Sequence, residues 1–133
     1  MRPRRLTHLV LFFVLAIVIG CGRSPYKLSG TVTYDGQPVP VGEIVFMPDP
    51  AEGNRGPGVL ADIKEGRYEM PLNKGHIGGA YVARLTGFDG APAKAKGLVD
   101  PRGTPLFVDY TEKLKLPEQS TTHDFTVPLQ KKK

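Results

Sequence analysis

From residue 27 onward, apolar and polar positions alternate in short blocks with the two-residue period of half-buried strands. In residues 27–34, Leu28, Val32 and Tyr34 share one face, and Ser29, Thr31 and Thr33 share the other. Asp35-Gly36 follows as a turn, because Gly tolerates the positive φ of a tight hairpin. Pro38 and Pro40 cannot donate to a ladder, which places them outside a central strand. Residues 43–47 form a second predicted strand, with Ile44 and Phe46 opposed to Val45 and Met47. Residues 59–64 and 67–72 predict a hairpin about Glu65-Gly66. The longest strand is predicted over residues 80–88, with Tyr81, Ala83 and Leu85 on one face and Val82, Arg84 and Thr86 on the other.

The intervening segments read as turns and loops. Residues 48–57 are rich in Gly, Pro and Asn, and residues 73–79 form another turn. Residues 89–104, rich in Gly, Ala, Pro and Lys, predict a long mobile loop. A short edge strand is expected over 105–110, a connection over 114–121, and a last strand over 122–129 with Phe125 and Val127 inward. From Lys27 onward, no window keeps an i, i+3, i+4 apolar stripe without a Gly or Pro interrupting it, so a helical domain is excluded. Six or seven evenly spaced strands predict an all-β fold, an antiparallel β-sandwich of immunoglobulin-like or related type. Its core is expected to join Tyr81 and Leu85 to Leu28, Val32, Phe46, Phe125 and Val127.

The first 20 residues change the picture. Arg2, Arg4 and Arg5 precede an apolar run over 9–19, then small Gly20 and the chain's one cysteine, Cys21. This layout is that of a cleaved secretory signal peptide. Its apolar run is well short of the ~20 residues that span a bilayer. Val18-Ile19-Gly20-Cys21 resembles the bacterial lipobox. The resemblance implies cleavage between Gly20 and Cys21, a diacylglycerol on the Cys21 sulfur and acylation of the new amino terminus. Residues 21–26 then form a lipidated tether, 27–129 the domain and 130–133 a basic tail. The expected location is the cell membrane or outer membrane, and Gly22 supplies no retention signal of the enterobacterial Asp type.

Removing 20 residues from 133 leaves 113, enough for one small domain. The same cut lowers the formal charge from +5 to +2, because three arginines leave with it. The remaining balance gives no basic face of the kind nucleic acid selects. Exported domains of this size often rely on disulfides. Acylation would consume the only thiol, so the apolar core must hold the domain.

The run from Leu28 to Val39 (LSGTVTYDGQPV) resembles the opening of carboxypeptidase-regulatory-like domains, and residues 43–48 (EIVFMP) continue the likeness. Glu65-Gly66-Arg67-Tyr68 is similar to the turn of that family, and residues 81–87 (YVARLTG) to its following strand. With the ending His123-Asp124-Phe125-Thr126-Val127-Pro128, the chain resembles small bacterial lipoproteins made of a lipobox and this one domain. The resemblance implies a transthyretin-like, or prealbumin-like, sandwich that serves as an accessory, structural or binding module. Gly30 would then permit a bulge or close contact, and Tyr68 and Tyr81 would bury their rings with hydroxyls at the rim.

Few groups offer chemistry. His76 and His123 are the histidines beyond the leader, one read as a solvated turn residue and the other at the border of the sheet. Asp124 points to the opposite face from His123, and the spacing fits no zinc site, so neither a metal nor another cofactor is expected. Ser24, Ser29 and Ser120 lack a nucleophile elbow, and Gly75, Gly78 and Gly79 make no phosphate loop. The related hydroxyisourate hydrolases carry a Tyr-Arg-Gly-Ser ending and early histidines. This chain ends Leu129-Gln130-Lys131-Lys132-Lys133 with no His in its first strand, so the hydrolase is a distant third reading. A binding loop is drawn from Phe88, Lys94, Lys96 and Arg102, with Phe107 and Tyr110 as aromatic contacts. The lysine tail could approach anionic headgroups at ~1 kcal/mol per Lys. The expectation is a lipid-anchored, non-enzymatic structural or protein-interaction module with an envelope protein or polysaccharide partner. Its competitor is a carbohydrate- or small-ligand-binding lipoprotein.

Overall fold

The computed structural model describes residues 25–70 and 72–131. The expected leader, with Gly20 and the expected acylation site Cys21, lies outside the described residues, as do Lys132 and Lys133. Among those described, the chain is all-β. Its strands are β1 (Leu28–Tyr34), β2 (Gln37–Pro38), β3 (Val41–Pro48), β4 (Val59–Lys64), β5 (Arg67–Met70) and β6 (Gly79–Phe88). They continue with β7 (Ala93–Ala95), β8 (Leu98–Asp100), β9 (Pro105–Leu116), β10 (Thr121–Thr122) and β11 (Phe125–Val127). Among the described residues, helical structure is limited to single 3-10 turns at Pro50–Glu52 and Leu72–Lys74.

One sheet runs in the order β10-β1-β5-β4-β3-β6-β9, with β2 and β11 also on β1. Its ladders are antiparallel except at β10 and β11, which lie parallel to β1, Leu28 opposite Thr121 and Val32 opposite Phe125. A parallel neighbour needs a long crossover. Here almost the whole domain separates β1 from β11 and supplies it. The sheet curls around its apolar side. Phe125 reaches within 6.1 Å of Phe46 and 5.7 Å of Tyr68, ring centre to ring centre. Leu28, Val32, Phe46, Tyr81, Leu85, Phe125 and Val127 are buried in one cluster, together with Ile44, Ile63, Met70 and Phe107.

Two expected boundaries change. The predicted short strand over 105–110 and part of the following connection are one twelve-residue edge strand, β9. Its alternation changes phase at a bulge. Leu85 faces Tyr110 while Gly87 faces Phe107, so β9 carries one extra residue there, and Asp109 takes a positive φ of 54°. Phe107 points inward before the bulge, and Leu114 and Leu116 do so after it. The predicted mobile loop over 89–104 contains the hairpin β7–β8, turned at Lys96-Gly97 with φ of 50° and 80°. Asp89 pins its base, the carboxylate accepting from the Ala91 and Thr104 N–H groups at 2.9 Å each.

Candidate functional site

The β4–β5 hairpin divides the sheet. Glu65 and Gly66 have φ of 51° and 74°, the paired left-handed conformation of a two-residue hairpin turn. Beyond it, the strands pair only at Lys64–Arg67 and Ile63–Tyr68. From there β5 follows β1 as far as Met70 opposite Leu28, while β4 follows β3 as far as Val59 opposite Phe46. The divergence opens a groove of about 1500 Å³. Leu60, Asp62 and Lys64 line one wall, Arg67 and Glu69 the other, and the turn bearing Asn73 and Lys74 stands at the rim.

Charges in the groove balance. Asp62, Glu69 and Asp124 face Lys64, Arg67 and Lys74, and Lys27 pairs with Glu69 at 2.9 Å. The Asp124 carboxylate is already occupied by the Thr31 N–H at 2.7 Å and the Thr31 hydroxyl at 2.9 Å. Those bonds hold its carboxyl below the usual carboxylate range. Among the described residues, Tyr68 is the groove's one aromatic lining residue, and it is 3% exposed. Its hydroxyl donates to the His123 carbonyl at 2.7 Å. Burial, then the charges of Asp124 and Glu112, push that hydroxyl's pKa well up, so it stays a proton donor.

The residues drawn from sequence as a binding loop do not converge. Phe88 is buried with the Arg102 guanidinium 4.1 Å above its ring, and Arg102 is held by both carboxylate oxygens of Asp100. Lys94 and Lys96 are exposed on the β7–β8 hairpin. Phe107 is buried against Tyr34 at 5.3 Å and meets the edge of Tyr110 at 6.5 Å. Sequence reasoning missed the groove itself. Its one visible trace is Leu60, an apolar residue on the same strand face as Asp62 and Lys64.

His76 corrects its expectation. It is 0% exposed rather than solvated, because Tyr26 bridges to it backbone to backbone and covers the ring at 5.6 Å. Its Nδ1 accepts from the Gly78 N–H at 3.1 Å, and Nε2 closes no hydrogen bond within the described residues. Burial holds the imidazole below its ordinary pKa, although the nearby backbone of Lys27 and Gln119 favours the protonated ring. His123 lies at the sheet border, pairing with Glu112 at 3.0 Å, while Asp124 turns the other way to Thr31. No three His, Cys, Asp or Glu side chains among the described residues gather as metal ligands would. No protein-family model matches the chain, and no characterised protein matches it significantly.

Proposed function

We propose that the chain is an exported lipoprotein, acylated at Cys21, whose β-domain is a transthyretin-like sandwich of the carboxypeptidase-regulatory-like type. It works at the cell envelope as a non-enzymatic structural or protein-interaction module. The lipobox-like run supports the anchor, and no described helix is long and apolar enough to cross a membrane. The division of the sheet supports the sandwich. In this reading β1 with β5 and β11 makes one layer and β4 with β3, β6 and β9 the other, supported by the parting of β5 from β4 within the one curled sheet and by Phe125 meeting Phe46.

The observation that carries the functional reading is the open, charge-balanced groove along β4. A carbohydrate site stacks sugars on exposed aromatic faces, and the one ring lining this groove among the described residues is turned into the core. An open strand edge in a shallow groove suits a polypeptide partner. Mass spectrometry of the membrane-extracted protein should show loss of residues 1–20 and added lipid. An unmodified thiol at Cys21 would refute the anchor. Crosslinking in intact cells should give discrete protein adducts, and their absence would refute the interaction role.

A further inference from the structure

We propose that the groove takes an extended polypeptide segment of another protein, added as a strand along the free edge of β4. The proposal rests on the interaction-module reading and names how the partner is held. In a two-residue hairpin the residues flanking the turn, Lys64 and Arg67, exchange both backbone hydrogen bonds. Backbone direction alternates along a strand. The N–H and C=O groups of Asp62 and Leu60 therefore point the same way as those of Lys64, into the groove. Val59, Ala61 and Ile63 send theirs to Phe46, Ile44 and Gly42 on β3. β5 pairs no farther than Tyr68 opposite Ile63, a bridge that still engages the Asp62 carbonyl, so the Leu60 N–H and C=O and the Asp62 N–H have no strand partner among the described residues. A row of alternating donors and acceptors is complemented by another extended backbone, and poorly by a sugar or a small ion.

A second observation comes from the other free edge. Proteins protect open edges with bulges and inward or edge lysines. β9 has both, its bulge at Asp109 and exposed Lys113 and Lys115. The stretch of β4 from Val59 to Asp62 has neither. Instead Leu60 is 55% exposed and sits opposite Val45, with Met47 51% exposed farther along β3. The chemistry of the occupant follows. It is extended and near neutral, carries a large apolar side chain beside Leu60, and is read mainly through its main chain.

The test uses the full chain in intact cells, with the photo-crosslinker benzoylphenylalanine in place of Leu60, or of exposed Thr126 on β11 as a control. Asp62→Pro removes a groove-facing N–H that the fold does not use, whereas Asp62→Ala removes only the side chain. A polypeptide adduct at position 60 is expected. It should fall about fivefold or more in Asp62→Pro, the loss of at least one backbone hydrogen bond, and persist in Asp62→Ala. Thermal melts must show both variants folded. Should Asp62→Pro fold poorly, the crosslinker moves to Asp62 and Leu60→Pro removes the other groove-facing N–H, with the same loss expected. Equal yields from the Pro and Ala variants would overturn strand addition. So would an adduct with a second copy, with the chain's own residues 22–24, or with a non-protein mass. Protein adducts at Thr126 alone would sink the groove and leave the module reading standing. No protein adduct at either position would sink both.

Discussion

Glu112 Oε1 stands 3.0 Å from His123 Nε2 and so joins β9 to the β10–β11 connection, which no ladder links to it. Glu112 lies on β9, one end of the sheet, and His123 lies between β10 and β11 at the other. Tyr34 against Phe107 reinforces the same seam. The side chains of His123 and Glu112 are 31% and 30% exposed, so water and salt screen the pair. Glu112→Gln keeps a hydrogen-bonding amide there and should cost below about 1 kcal/mol. His123→Ala also removes a ring seated edge-on against Phe125 at 4.7 Å. It should cost about 1 kcal/mol more. Denaturant midpoints at low and high salt separate the two effects. A larger loss from Glu112→Gln than from His123→Ala would show that charge, rather than packing, closes the seam.

Gly30 should be intolerant of any side chain. A Cβ there would sit 1.9 Å from the His123 carbonyl oxygen and 3.0 Å from the Tyr68 ring. Neither can retreat easily, because the same carbonyl accepts the Tyr68 hydroxyl and the His123 N–H is bonded to Ser29. Overpacking of this kind costs ~1–3 kcal/mol. Tyr68→Phe, which removes only the hydrogen bond, should cost ~1 kcal/mol. Melting temperatures should therefore rank Gly30→Ala below Tyr68→Phe, and the reverse order would mean that the 123–124 link yields freely.

The elements legible from sequence are those fixed by their own alternation. β1 and β6 start within one residue of expectation, and the seven residues named for the core share one buried cluster. β9 was legible only to Tyr110, because its bulge shifts the phase and the continuation looks like a different pattern. His76 looks like a solvated turn residue until Tyr26, fifty residues earlier in the chain, covers it. The groove has almost no local signature. It exists because β4 stays with its neighbour β3 while β5 leaves it for β1, a strand far earlier in the sequence.

The opposite faces of β6 should respond differently to truncation. Leu85 is fully buried, and Thr86 is half-buried on the other face, its hydroxyl accepting from the Asp109 N–H at 3.3 Å. Leu85→Ala should cost ~2–5 kcal/mol through lost transfer energy and the cavity left behind. Thr86→Ala removes one weak, exposed bond and should cost no more than ~1 kcal/mol. Urea midpoints of the two variants test this, and equal losses would contradict the register of β6 between β3 and β9.

The buried His76 should make the domain acid-sensitive well above the carboxylate range. Its ring packs between Tyr26 and Tyr81, and with Nδ1 accepting from Gly78 the neutral ring carries its proton on Nε2. Burial lowers the imidazole's pKa in the folded chain, the Lys27 and Gln119 backbone only partly opposing it. The unfolded chain, with an ordinary value near ~6.5, then takes up the proton first as pH falls. Stability from this residue is thus complete above about pH 6.5 and is lost as pH drops from there through the folded pKa. Asp124, lowered by its Thr31 bonds, acts in a separate window, contributing above about pH 4 and losing that contribution below it. Melting temperature should accordingly fall between about pH 7.5 and about pH 5.5 in the native chain. His76→Asn, which offers Gly78 an oxygen acceptor but no titrating ring, should melt lower at neutral pH and lose much less across that interval. Parallel pH profiles for the two proteins would assign the acid sensitivity elsewhere.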